Sequence, residues 1–138
     1  AHREKNIKFN TYSNIDFYTT KHFQIMSICR NLMINGLDSM AESNGKVLEC
    51  RVYAKGDYYR FKFFDTGTGI SDENCATIFS PGFSTKIDYD TGKVNRGLGL
   101  SIVKYMVEDH FQGSIHIESK LERGTTFFVD LKKSKVEE

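Results

Sequence analysis

The 138-residue chain contains no tryptophan, one proline (Pro81) and only three cysteines. Cys29, Cys50 and Cys75 are scattered and odd in number, and no CxxC or Cys/His cluster exists. That pattern excludes a disulfide framework and a zinc site, and leaves reduced, buried thiols of a cytoplasmic protein as the expectation. An excess of either charge is also missing. With a net charge of +1, bulk electrostatics argues for neither nucleic acid nor a membrane surface as a partner. No apolar run approaches bilayer-spanning length, and no signal peptide opens the chain. There is no internal repeat, linker or low-complexity block. An initiating Met is absent too, and a start at Ala1 suits an excised fragment.

What is present fits one soluble globular domain over residues 1–138: 39% hydrophobic and 27% charged residues, enough for one core. Ile7, Phe9 and Thr11 alternate with polar neighbours and predict a short strand. Thr19 to Ser43 predicts a long helix, with Ile25, Cys29, Leu32, Met33, Gly36, Leu37 and Met40 on one arc and Asn44-Gly45 as its stop. Leu48, Cys50, Val52 and Ala54, then Tyr59, Phe61 and Phe63, alternate around Gly56-Asp57 and predict an antiparallel hairpin. A short helix capped by Ser71 or Asp72 is expected to reach about Ile78. Residues 80–96 show no periodicity, and a loop of that length in a compact domain is usually functional or disordered. A helix over Gly97–Phe111 and two strands, with Ile115, Ile117, Phe127, Val129 and Leu131 inward, complete the order. The charged tail, residues 132–138, is expected to fray. This order predicts an α/β (α+β) two-layer sandwich, a mixed and largely antiparallel sheet with helices on one face.

Four short patterns carry chemistry. Asn31 and Asn35 lie one helical turn apart beside the apolar arc, and their neutral oxygens suit Mg²⁺ that already carries phosphate oxygens. Two solvated asparagines are the plainer reading of that pair alone. Asp65-Thr66-Gly67-Thr68-Gly69-Ile70 follows a strand. Its carboxylate can accept from an amine such as the adenine N6 group, while glycines admit a ligand to the backbone. It is equally a turn, and it is not a Walker A loop. Arg96-Gly97-Leu98-Gly99-Leu100 opens a helix whose N-terminus can receive phosphates, with Arg96 as a bidentate contact. A plain helix cap competes with that. Gly82-Phe83-Ser84-Thr85-Lys86 offers phosphate donors in the long loop, or a solvated surface.

Taken together and in order, the patterns resemble the boxes of sensor histidine kinase catalytic domains. Asn31-xxx-Asn35 is similar to the N box and Asp65-x-Gly67-x-Gly69 to the G1 box. Ile78-Phe79 with Pro81 and Phe83 is similar to the F box, Arg96-Gly-Leu-Gly-Leu100 to the G2 box, and Gly124-Thr125-x-Phe127 to the closing motif. The likeness runs from about Ile7 to Leu131 and extends to gyrase, the large heat-shock chaperone and MutL, the GHKL superfamily with its Bergerat ATP-binding fold.

The resemblance implies ATP and Mg²⁺ as cofactors. It implies metal and phosphate contacts from Asn31 and Asn35, with Asn35 the metal position. Asp65 is implied as the adenine carboxylate with Gly67, Gly69 and Ile70 beside the base, and Thr125 as its support. Phosphate-side contacts are implied from Phe79, Ser84, Thr85, Lys86, Arg96, Gly97, Leu98, Gly99 and Leu100, with an ATP lid over about 80–96. Two departures stand out. Asp38 replaces a common Lys, and Arg96 replaces a small residue, as in kinases sensing citrate, dicarboxylates or glutamine.

The hydrolysing relatives carry a Glu where this chain has Asn31. An amide cannot deprotonate water, whereas a histidine imidazole is already a nucleophile. The expected reaction is therefore γ-phosphate transfer to histidine. The acceptor is expected on a separate, upstream helical dimerisation domain, since His2-Arg3-Glu4 does not fit the acceptor motif and His22, His110 and His116 fall inside elements. The fragment alone is expected to bind ATP without phosphorylating itself, as a monomer, within a dimeric, membrane-anchored bacterial sensor that signals to a response regulator. A GHKL ATPase, an anti-sigma-type Ser/Thr kinase and a nucleotide-sensing pseudokinase are the alternatives.

Overall fold

The computed structural model describes residues 7–41, 43–44, 46–80 and 97–138. Five strands are present: β1 (Lys8–Ser13), β2 (Val47–Lys55), β3 (Tyr58–Asp65), β4 (Ser114–Lys120) and β5 (Gly124–Lys132). The helices are α1 (His22–Met40), α2 (Asp72–Cys75), α3 (Gly97–Phe111) and a last turn, α4 (Lys133–Val136). The strands form one sheet in the order β1-β2-β3-β5-β4. β1 runs parallel to β2, while the β2–β3, β3–β5 and β4–β5 pairs are antiparallel. Parallel neighbours need a long crossover, and α1 supplies it.

Alternation along β3 decides which face the helices cover. Tyr59, Phe61, Phe63 and Asp65 are buried, and the intervening Tyr58, Arg60, Lys62 and Phe64 are only half-buried. The buried set joins Phe127, Val129 and Leu131 of β5, Ile25, Ile28 and Leu32 of α1, and Val103, Val107 and Phe111 of α3 in one core. Each such side chain contributes about 1.5–3 kcal/mol relative to exposure. The opposite sheet face carries polar and aromatic pairs, such as Arg60 on Asp130 at 2.7 and 2.8 Å and His116 stacked on Phe128 at 4.9 Å. The two-layer, largely antiparallel arrangement expected from the sequence is the one observed.

Three boundaries differ from expectation. α1 begins at His22, not Thr19, because the Lys21 N–H donates to Thr19 Oγ1 (3.0 Å) in a local turn. It ends at Met40, where Ala41 and Ser43 bond back to Asp38 and Met40 by tighter three-residue bonds. α2 is capped by Ser71 accepting from Asn74 N (3.2 Å), as its sequence predicts, but it gives way at Cys75 to three-residue turns that carry the chain to Ser80. The expected fraying of residues 132–138 is corrected. Val136 is fully buried, Lys21 Nζ donates to Lys135 O (2.9 Å), and Tyr59 Oη donates to Glu137. One valine among six polar residues is a weak signal, yet it joins the core and anchors the tail against α3 and β5.

The readings placed on residues 81–96, Ser84, Thr85, Lys86 and Arg96 among them, and on His2-Arg3-Glu4 lie outside the described residues. The three cysteines are free thiols. Burial pushes the Cys29 thiol up to about 12 and the Cys50 thiol to about 11, so neither is a thiolate at neutral pH.

Candidate nucleotide site

A cleft of about 780 Å³ lies between α1 and the first turn of α3. Asn31, Asn35, Gly99 and Leu100 line it. Thus the two asparagines and the glycine-containing helix start, distant in sequence, meet on one wall. The approach is close: a methyl on Gly99 would lie 3.0 Å from Asn31 Oδ1. Asn31 is itself oriented, since its Nδ2 donates to Ser27 O at 2.7 Å, which leaves Oδ1 turned toward α3. Gly97 and Leu98 form the first turn of α3, where backbone N–H groups have no intrahelical partner.

The adenine-type motif sits behind this wall. Asp65 ends β3 and is 3% exposed. It is not on the cleft wall but beneath it, against α1. A methyl on Gly36, the residue after Asn35, would lie 3.5 Å from Asp65 Oδ2. Gly67 N donates to Asp65 Oδ1 at 2.9 Å, and the Ser39 hydroxyl lies 3.5 Å from Thr68 Oγ1. Burial pushes the carboxyl up to about 6, while the Gly67 N–H pulls it back toward the ionised form.

The Asp65–Gly69 loop is fastened at both ends. Thr66 Oγ1 accepts from Lys46 N (2.9 Å) and Val47 N (3.0 Å). Thr68 N donates to Ser39 O (3.2 Å), and Glu122 N to Thr68 O (2.7 Å). Gly69 has φ +73°, and a methyl there would lie 1.9 Å from Lys120 O, so only glycine fits. Ile70 packs against the core, and its N–H donates to Ser119 Oγ (2.7 Å). Thr125 pairs with Asp65 across β3–β5 and is 2% exposed. Phe79 packs edge-on to Phe127 at 6.3 Å, against the core.

Several residues of this site were not singled out from the sequence. Ser39 lies one further helical turn beyond Asn31 and Asn35, and that repeat was the available signal. The cleft rim formed by His22, Phe23, Met26 and Arg30 had none, because exposed residues at a helix start look like any solvated face. Among the described residues no cluster of three or more His, Cys, Asp or Glu could hold a metal. The Asn pair therefore offers neutral oxygens that need further anionic ligands to complete a metal site.

A family model described as histidine kinase-, DNA gyrase B-, and HSP90-like ATPase matches residues 20–135. A probable C4-dicarboxylate sensor kinase of Halalkalibacterium halodurans is 33% identical over 113 residues, 80% of this chain and 20% of that protein. The sensor protein SrrB of Staphylococcus aureus is 42% identical over 69 residues, 50% of this chain and 12% of that protein. The chain thus spans a fifth or less of these two curated relatives. The catalytic domain of histidine kinase ThkA superposes with a TM-score of 0.75 at 27% identity, over 94% of this chain and 82% of that one. Full-length ShkA in complex with AMPPNP matches in fold, with a TM-score of 0.72 at 21% identity, over 91% of this chain and 25% of that one.

Proposed function

Because the chain belongs to the histidine kinase-, DNA gyrase B- and HSP90-like ATPases, we propose that it binds Mg-ATP in the α1–α3 cleft and transfers the γ-phosphate to a histidine on a separate helical domain. The observation that carries this reading is the wall itself. Asn31, Asn35 and the α3 N-terminus face one cleft, with Asp65 buried directly behind it.

In this reading each residue has one task. Asp65 accepts from the adenine amine, and Gly67 and Gly69 admit the base to the backbone. The free N–H groups at Gly97–Gly99 receive the phosphates, with Arg30 as a cation on the same rim. Ser84, Thr85, Lys86 and Arg96 are the further donors to the phosphate chain. Thr125 supports Asp65, and Asn35 with Asn31 completes a Mg²⁺ sphere that the nucleotide's own oxygens begin. The metal, when bound, neutralises phosphate charge. The donor set suits that role, being oxygen-bearing, neutral and too sparse to hold the ion alone.

Asn31 supports transfer over hydrolysis. Its Nδ2 is committed to Ser27 O, and an amide supplies no base for water. An imidazole acceptor needs only alignment and charge neutralisation. The acceptor domain, dimerisation through it, a response regulator downstream and a cytoplasmic position in a membrane-anchored bacterial sensor complete the proposal. No described helix is long and apolar enough to cross a membrane. Arg96 and the named C4-dicarboxylate relative favour the carboxylate-sensing group of such kinases.

A calorimetric titration with Mg-AMPPNP, paired with a phosphate-release assay, tests the reading. Saturable Mg-dependent binding with no steady-state release of phosphate is expected. Rapid release by the chain alone would instead identify an ATPase.

A further inference from the structure

We propose that the open face of the sheet docks an extended, acidic segment of a partner protein, with one carboxylate seated in the hollow between Arg51 and Lys62. The proposal is independent of the nucleotide reading, because the helices and their cleft lie on the other side of the sheet.

Strand alternation sends one set of side chains into the core and the other to this outer face. On the three central strands, the outer set holds five cations, Arg51, Lys55, Arg60, Lys62 and Lys132, and two carboxylates, Glu49 and Asp130. The helices pack against the other set. The edge strands add Lys8, Lys120 and one carboxylate, Glu118. Yet the whole chain carries only +1. The cationic surplus of this face is therefore outweighed by carboxylates elsewhere in the chain, and charge is segregated rather than spread.

The two arginines are already engaged. Arg60 donates to both Asp130 oxygens, at 2.7 and 2.8 Å, and Arg51 pairs with Glu49. The lysines are not: among the described residues, Lys55, Lys62 and Lys132 have no carboxylate partner. Lys62 stands directly opposite Arg51 across the β2–β3 pair, and like charges so placed repel. A hollow of about 510 Å³ lies over them, lined by both cations with Glu49, Tyr53, Phe64 and Thr126. A second carboxylate in that hollow relieves the repulsion.

A further cationic position lies in register with the first. Lys55 and Lys132 flank Tyr58, four residues along β2 from Arg51. At about 3.3 Å per residue, the two positions are about 13 Å apart. An extended chain with carboxylates at every fourth residue matches that spacing.

Other occupants fit less well. Single-stranded nucleic acid needs free ring faces for stacking. Here Phe128 is covered by His116 at 4.9 Å and by Arg60 and Lys62 at 5.1 and 5.7 Å, and Tyr12 by Arg51 at 4.3 Å. A bilayer surface needs protruding apolar groups. Of the large exposed ones in strands and helices, only Tyr12 lies on this face. A second copy using the same face would oppose cation to cation.

The test is fluorescence anisotropy on the 138-residue chain, with a labelled peptide carrying glutamate at every fourth position. Saturable binding that weakens with added salt is expected. Lys62→Gln should weaken it about fivefold or more. Lys132→Gln should weaken this peptide but not one with a single glutamate. Lys104→Gln, on α3, should leave peptide binding unchanged. Mg-AMPPNP binding should be the same in the Lys62 and Lys132 variants as in the unaltered chain, and melting curves check folding. Equal binding of a glutamine-substituted peptide, or glutamate-peptide binding that neither Lys62→Gln nor Lys132→Gln weakens, overturns the proposal. So does tighter binding of a single-stranded oligonucleotide or of phosphatidylserine vesicles, and so does self-association of the chain that Lys62→Gln abolishes.

Discussion

Gly36 of α1 lies against Asp65 at the end of β3, so the helix carrying Asn31 and Asn35 rests on the carboxylate assigned to the base. A methyl on Gly36 would stand 3.5 Å from Asp65 Oδ2 and 2.8 Å from Leu48 Cδ1. Only the Leu48 contact is tight, and it involves the flexible end of a side chain. Alanine in a helix interior gains up to about 1 kcal/mol over glycine. Gly36→Ala should therefore be neutral or slightly stabilising in chemical denaturation. Gly69→Ala should cost about 2–4 kcal/mol, because its methyl would meet a backbone carbonyl at 1.9 Å with φ at +73°. Equal stabilities for the two variants would contradict the packing described.

Asp65 should trade stability for recognition. Its folded carboxyl, raised from 3.8 to about 6, holds a proton that the unfolded chain has already released. Its contribution therefore falls as pH rises from about 4 to 6, and at pH 7 the ionised form costs on the order of 3 kcal/mol. Asp65→Asn should stabilise the free domain by about 1–3 kcal/mol at pH 7 and flatten its stability between pH 4 and 6. ATP binding by the unaltered chain should weaken below about pH 6 as the carboxyl gains its proton. A less stable Asn variant at pH 7 would refute the assignment of a buried carboxyl raised by desolvation.

The tail should matter to the fold. Val136 is fully buried, and Lys21 Nζ binds Lys135 O. Val136→Asp should destabilise by about 2 kcal/mol or more, seen as a lower melting temperature. Ser134, on the same turn, is exposed and serves as the control. Ser134→Asp should leave the melting temperature unchanged, and an equal drop in both variants would contradict a specific anchoring role for Val136.

Much of this is legible in the sequence. Strand alternation in Tyr59–Phe63 and Phe127–Leu131 marked the inner sheet face because side chains point alternately to its two sides. The spacing of Asn31 and Asn35 placed both amides on one helical face. The ends of α1 were less legible, since Thr19 diverts a backbone N–H that propensity assigns to the helix. The burial of Val136 depends on where the chain returns after β5, which no local pattern encodes. Ser39 carries only a weak local signal because its contacts, with Gly67 and Thr68, are brought to it by the sheet.

The central claim is phosphoryl transfer to histidine from this cleft. The most direct measurement mixes the chain with γ-labelled ATP, Mg²⁺ and the histidine-bearing helical domain that the proposal requires. Acid-labile, base-stable label should appear on the helical domain alone, and should vanish with Asn35→Ala. Label on the chain itself, or undiminished transfer by Asn35→Ala, would contradict the account.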